Sequence, residues 1–143
     1  MTEIDLIKKY EGCKLQAYLC PAKIPTIGYG ATFYADGTKV KIGDTITQKQ
    51  ADELLTIIVK KFADGVDKLV KTNITANMRA SLISLAYNIG IGNFSDSTVL
   101  KKVNINPNDT TIANNFRAWN KGGGKVLTGL ENRREEEAQN FFK

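Results

Sequence analysis

The side chains best suited to breaking a bond stand close together near the start of the chain: Glu11, then Cys20, then Thr26, spaced Glu-x8-Cys-x5-Thr. A carboxylic acid can protonate a leaving oxygen. A thiol or hydroxyl can hold a water, take its proton or attack carbon directly, and splitting a glycosidic bond needs one group of each kind. Thr26 lies within Ile24-Pro25-Thr26-Ile27-Gly28-Tyr29-Gly30, a short strand-like run punctuated by glycine. Composition excludes other chemistries. The chain has no histidine, so Ser-His-Asp and Cys-His sites are impossible, as is any zinc site that uses imidazole. Cys13 and Cys20 are the only cysteines and form no CxxC pair, so no metal is expected. Gly28-Tyr29-Gly30 has Phe33 where a dinucleotide fingerprint needs a third glycine. Gly124-Lys125 is followed by Val126 and preceded five residues back by Trp119, which breaks the P-loop pattern. No cofactor is expected.

With 143 residues and 42% hydrophobic content the chain can bury one real core, and a second independent domain is not expected. No run approaches the roughly 18 apolar residues of a membrane span, and Met1-Thr2-Glu3-Ile4-Asp5 is too polar for a signal peptide. The net charge of +5 favours an anionic partner. Charge alone does not choose among nucleic acid, lipid surface and cell wall.

The elements that must position the three residues follow from apolar spacing. Thr2 and Asp5 cap a helix carrying Ile4, Ile7 and Tyr10; Gly12 ends it, which puts Glu11 in its last turn. From residue 14 to about 43, short runs broken by glycine form the one strand-rich region, with Asp36-Gly37 as a hairpin turn. Thr47 and Gln50 cap a helix of roughly six turns. Its stripe of Ala51, Leu54, Leu55, Ile58, Phe62, Val66 and Leu69 reads as core. Thr75 opens a further helix with Met78, Leu82, Leu85, Ala86 and Ile89 on one face, closed by Gly90 and Gly92. Helices over 97–103 and 110–119 follow, with Trp119 as core. After Gly122-Gly123-Gly124 a last helix carries Leu130, Ala138, Phe141 and Phe142.

Taken in order, these segments resemble the phage-type lysozymes, the muramidase endolysins, over nearly the whole chain. The Glu11, Cys20, Thr26 spacing is similar to that family's catalytic signature. Leu85-Ala86-Tyr87-Asn88-Ile89-Gly90 resembles its helix motif, and the stretch from Trp119-Asn120-Lys121 through Gly123 to Leu127 its Trp-Asn-Lys-x-Gly-Gly segment. Asn132-Arg133-Arg134 resembles its basic motif. The resemblance implies an α+β lysozyme-like fold in a single domain over 1–143. A small mixed α/β N-terminal lobe would span about 1–46, a connecting helix about 47–71 and a helical C-terminal lobe about 72–143.

The same resemblance implies hydrolysis of the β-1,4 bond between N-acetylmuramic acid and N-acetylglucosamine in bacterial peptidoglycan. Glu11 would be the general acid, with Cys20 and Thr26 activating or positioning water. Many relatives carry Asp where this chain has Cys20, which leaves the thiol open as base, nucleophile or water-positioning group, and leaves open an inverting or a retaining outcome. Arg133 is implied as the ion-pair partner of Glu11. Tyr18, Gly30, Thr32, Tyr87, Asn88 and Ser97 are implied as lining the sugar cleft, although core packing or helix capping would account for each alone. A Cys13–Cys20 disulfide acting as a redox switch resembles a device of membrane-tethered relatives. Two free cytosolic thiols is the preferred reading, because no such tether is read in this sequence; with about 20 Å of extended chain between them, bridging would dismantle the site. The expected partner is peptidoglycan, with no nucleic acid, no stable membrane insertion and a monomeric state. Synthesis is expected in the host cytoplasm without a visible signal peptide, with access to the wall after holin-type membrane disruption. Two further functions fit the sequence: a lytic transglycosylase, which makes a 1,6-anhydro product without water, and a non-catalytic peptidoglycan-binding module.

Overall fold

Two capping boxes fix where the helices around the site begin. In α1 (Glu3–Glu11) the Thr2 hydroxyl accepts from the Asp5 N–H while the Asp5 carboxylate accepts from the Thr2 N–H. Thr47 and Gln50 make the same exchange ahead of α2 (Gln48–Leu69). The computed structural model, which describes residues 1–143, ends α1 at Gly12. Gly12 has φ 66° and ψ 168°, a conformation open to glycine, and it turns the chain from α1 into β1 (Lys14–Leu19). β1 pairs antiparallel with β2 (Pro25–Gly28), setting Tyr18 directly opposite Thr26. Beyond β2 the region holds isolated bridges only, including Phe33 to Lys39 across the Asp36-Gly37 turn.

α3 (Ala76–Ile89) is the central helix. Thr75 caps it, and residues 80–86 are buried without a break, Ser81 and Ser84 included, so this helix is enclosed on all sides instead of presenting one stripe. α1, α2, α4 (Ile91–Ser95) and α7 (Thr128–Phe141) pack against it. α5 (Thr98–Ile105) and α6 (Ile112–Arg117) close the far side. A single apolar core runs from Ile7 and Tyr29 through Leu82, Phe94 and Phe116 to Phe141. No helix is long and apolar enough to cross a membrane.

The structure departs from the sequence reading in four places. α4 starts directly after Gly90 and takes in Gly92, so only the first of the two glycines expected to close the helix opened by Thr75 does so. α6 is shorter than 110–119, because the Asp109 carboxylate takes both the N–H and the O–H of Thr111 and fixes a turn ahead of it. Residues 121–126 form a second hairpin of β3 (Lys121–Gly122) and β4 (Lys125–Val126), so 14–43 is not the only part with strands. In α2 the buried stripe runs through Val59 and Ala63, and Ile58 and Phe62 lie at its edge.

Candidate active site

Glu11 ends α1, and its carboxylate is gripped from α7, where Arg133 Nη1 donates to Oε1 at 2.7 Å. The arginine side chain is 3% exposed and that of Glu11 20%, so the pair straddles the edge of the core. Gly30 closes on the other carboxylate oxygen. A Cβ there would lie 3.2 Å from Glu11 Oε2 and 3.9 Å from Tyr87 Oη, at a φ of 91° that side chains rarely adopt. Tyr87 donates its hydroxyl to the Tyr29 carbonyl. Burial pushes that hydroxyl far up, and the Glu11 charge adds to it, so Tyr87 stays neutral.

Cys20 closes the turn between β1 and β2. Its N–H donates to the Ile24 carbonyl at 3.1 Å and its carbonyl accepts from the Lys23 N–H at 2.7 Å, with Lys23 at φ 61°. The same turn holds the thiol below its ordinary range: the Ile24 backbone is the main cause, partial desolvation opposes it, and the Ala22 backbone and the Thr26 hydroxyl assist. Thr26 is buried and donates its hydroxyl to the Ile24 carbonyl at 2.9 Å. A hydroxyl has one proton, so rotating it toward an ionised Cys20 gives up the carbonyl bond. Tyr18 links the two halves. Its hydroxyl is raised by burial first, then by the charges of Glu11 and Cys20, which places its ring within electrostatic reach of both.

Two cavities open on this group. One of about 370 Å³ is bordered by Gly30, Thr32, Phe33, Ile58, Phe62 and Tyr87. The other, of about 340 Å³, is bordered by Tyr10, Glu11, Asn88, Leu130 and Arg133. A slightly larger one of about 380 Å³, between Tyr34 and Ile57, includes Asp36 and Glu53 but none of Glu11, Arg133, Tyr87 or Asn88, so the grouping around Glu11 and not size selects the site. Ile58 and Phe62, read from sequence as core, belong to the cavity wall, and the Phe62 and Tyr87 rings sit 5.3 Å apart. Helical spacing finds the buried side of α2 but does not separate its centre from its flank.

Six residues were expected to line a cleft. Gly30, Thr32, Tyr87 and Asn88 border the two cavities, and Tyr18 stands beside Thr26. Ser97 is apart from them. It is buried, its hydroxyl donates to the Phe94 carbonyl at 2.7 Å and accepts from the Leu100 N–H at 3.1 Å, and it borders a different cavity with Asn115 and Trp119. Its observed role is to cap α5. Cys13 and Cys20 are both free and flank β1, whose extended backbone keeps them apart. Sequence reasoning gave Arg134 no role beyond the basic motif and missed Glu137; both are fully buried behind Arg133, with Arg134 Nη1 donating to Asn88 Oδ1 at 3.0 Å.

Residues 8–137 match the family model described as phage lysozyme. The endolysin of Bacillus phage B103 is 42% identical over 141 residues, covering 97% of this chain and 52% of that protein. The endolysin of Salmonella phage P22 is 38% identical over 135 residues, covering 94% of this chain and 92% of that protein. Among solved structures, an endolysin from Escherichia coli O157:H7 phage FAHEc1 matches with a TM-score of 0.88 at 41% identity, covering 99% of this chain and 90% of that one. The chain thus spans about half the length of the Bacillus phage relative, with 52% of it covered. The α+β lysozyme-like fold expected from the sequence is met.

Proposed function

This chain belongs to the phage lysozyme family, and from that premise we propose that it is an endolysin that cuts the β-1,4 bond between N-acetylmuramic acid and N-acetylglucosamine. The observation that carries the reading is Glu11, held by a buried arginine on the wall of one cavity, with Gly30 of the second cavity close against its other oxygen and with Cys20 and Thr26 beyond Tyr18. Glu11 gives its proton to the glycosidic oxygen as the bond to the anomeric carbon breaks, and Arg133 neutralises the carboxylate that remains. A water held by Thr26 attacks that carbon from the opposite face and passes its proton to the Cys20 thiolate. The products are an N-acetylglucosamine with a free 4-hydroxyl and a muramic acid with a reducing end. Glu11 then regains a proton from solvent and Cys20 loses one.

The sugar chain lies between the part over about 1–46 and the helical part over about 72–143, which the helix over about 47–71 joins. Tyr18 and Tyr87 offer ring faces, while Thr32 and Asn88 offer hydroxyl and amide groups. Host lysis follows once the enzyme reaches the wall. Peptidoglycan digestion with fragments read by mass spectrometry tests the reading: reducing muramic acid ends are expected, and 1,6-anhydro ends or intact polymer would overturn it.

The lowered thiol makes two outcomes specific. At neutral pH Cys20 should be alkylated by iodoacetamide ahead of Cys13, and Cys20→Ser should lower turnover by roughly 10² under reducing conditions. Cys20→Asp, which supplies a carboxylate base, should keep activity. A serine variant as fast as wild type removes the thiol from the reaction. A Cys13–Cys20 disulfide would require β1 to unravel and would occupy the thiolate, so oxidant should silence the enzyme in proportion to bridge formation measured by mass.

Gly30→Ala adds a methyl group against the Glu11 carboxylate and forces a side chain into φ 91°. The expected result is a loss of roughly ten- to a hundredfold in kcat, through displacement of the acid, together with a lower Tm. Unchanged kcat would mean that the carboxylate does not depend on this close approach.

A further inference from the structure

Behind the Glu11–Arg133 pair lies a second carboxylate that the reaction as described does not use. Glu137 is fully buried, one turn on from Arg133 and Arg134 along α7. Its Oε2 accepts from Arg134 Nη2 at 3.1 Å, from Arg133 Nε at 3.3 Å and from the Ser84 hydroxyl on α3. Its Oε1 lies 2.6 Å from Arg134 Nε, a close ion contact that is not aligned as a hydrogen bond. Arg133 Nη2 reaches the Ser84 carbonyl at 3.2 Å and Nη1 reaches Glu11. One guanidinium therefore serves two carboxylates, and the other ties Glu137 to Asn88 on the cavity wall.

We infer that Glu137 is a positioning residue that divides the charge of Arg133 between itself and Glu11 and so keeps Glu11 able to carry the proton it donates. The inference rests on the reading of Glu11 as the acid. With Glu11 ionised, the four side chains carry two positive and two negative charges; with Glu11 protonated they carry one positive charge in excess. Removing the Glu137 charge leaves two buried guanidiniums facing Glu11 alone, which favours its carboxylate form. Removing the Arg134 charge instead leaves two carboxylates around Arg133, which favours the protonated form.

Of the other ionisable groups around this cluster, Glu136 on α7 is charged but is paired with Lys9 of α1 at 2.6 Å, and the rest are tyrosines. Tyr10 on α1 sits with its ring 5.9 Å from the Arg133 guanidinium and is pushed up to about 12 by burial, with Glu136 and Glu137 adding to it. Tyr87 on α3 and Tyr18 on β1 are raised as well, each by burial first. Burial pushes Glu137 itself upward, and the charges of Arg134 and then Arg133 oppose that shift. With two guanidiniums closed around it, the carboxylate form is the one that balances the buried charge.

The test follows the Glu11 side-chain carboxyl ¹³C signal against pH in wild type, Glu137→Gln, Arg134→Gln and the double variant. The titration midpoint should fall by about one pH unit in Glu137→Gln, rise by a similar amount in Arg134→Gln, and return near wild type in the double variant. Each midpoint comes from the folded molecule's own resonance, so a partly unfolded population lowers the signal without moving it. The double variant, with its buried charge balanced again, provides a folded reference if a single variant does not fold. Midpoints in either folded single variant that stay at the wild-type value overturn the inference. Turnover of Glu11→Gln is measured alongside: a Glu11→Gln enzyme as fast as wild type would remove the acid assignment itself, a failure distinct from unmoved midpoints.

Discussion

Glu11→Gln reduces the rate of peptidoglycan cleavage by roughly 10³-fold, within the range for loss of a general acid. Glutamine has the shape of the acid and keeps a carbonyl oxygen that can accept the Arg133 Nη1 bond now made at 2.7 Å, so α1 and α7 remain joined. What disappears is the proton. Without it the sugar leaves as an unassisted alkoxide, and neither Thr26 nor Cys20 can reach round to supply the proton, because both act on the water. The measurement is turnover on purified wall against Tm for the same preparations. A large loss of rate with Tm near wild type supports the acid role, whereas a rate within tenfold of wild type at equal stability would sink it. Loss of rate accompanied by a collapsed Tm would assign Glu11 to the fold and take it out of the chemistry.

The positions of Glu11, Cys20 and Thr26 were readable because each follows from a local signal. Thr2 with Asp5 starts α1, Gly12 stops it, and the glycine-broken run around Thr26 forms β2 opposite Tyr18. Arg133 was readable only through the family's basic motif, since a contact across 122 residues of sequence leaves no trace in spacing. Arg134 was named only within that motif and given no role, and Glu137 was not read at all. Charged residues are placed outside by default, and hydropathy alone makes the first half of α7 look like a solvated face. Their spacing did hold a signal: Arg134, Glu137, Ala138 and Phe141 recur at helical intervals on the side that Ala138 and Phe141 bury. The β3–β4 hairpin escaped for another reason. Strands of two residues have no alternation to detect, and only Gly123-Gly124, at φ 59° and 80°, marked the turn.

Glu137→Leu lowers the free energy of unfolding by about 3–5 kcal/mol, the loss expected when one member of a buried ion cluster is removed. The cost comes from what is left behind, since Arg133 and Arg134 are 3% and 0% exposed and would face each other with no carboxylate between them. Adding Arg134→Met should recover most of that loss. The remaining guanidinium, Arg133, keeps Glu11 at 2.7 Å and the Ser84 carbonyl at 3.2 Å. Leucine and methionine together fill with apolar atoms a space enclosed by the core. Four polar groups lose a contact: Asn88, which is exposed and can turn to water, the Trp119 carbonyl, Arg133 Nε, and the Ser84 hydroxyl, which can donate to a carbonyl one turn back in α3. Urea denaturation of the two singles and the double variant decides the matter, provided the m value stays constant so that midpoints report stability alone. A double variant less stable than Glu137→Leu would show that the cluster adds net stability as a unit. The expected order, with the double variant above Glu137→Leu and slightly below wild type, would mean that the charges as a set add little net stability, and that what they contribute is the setting of the Glu11 carboxyl.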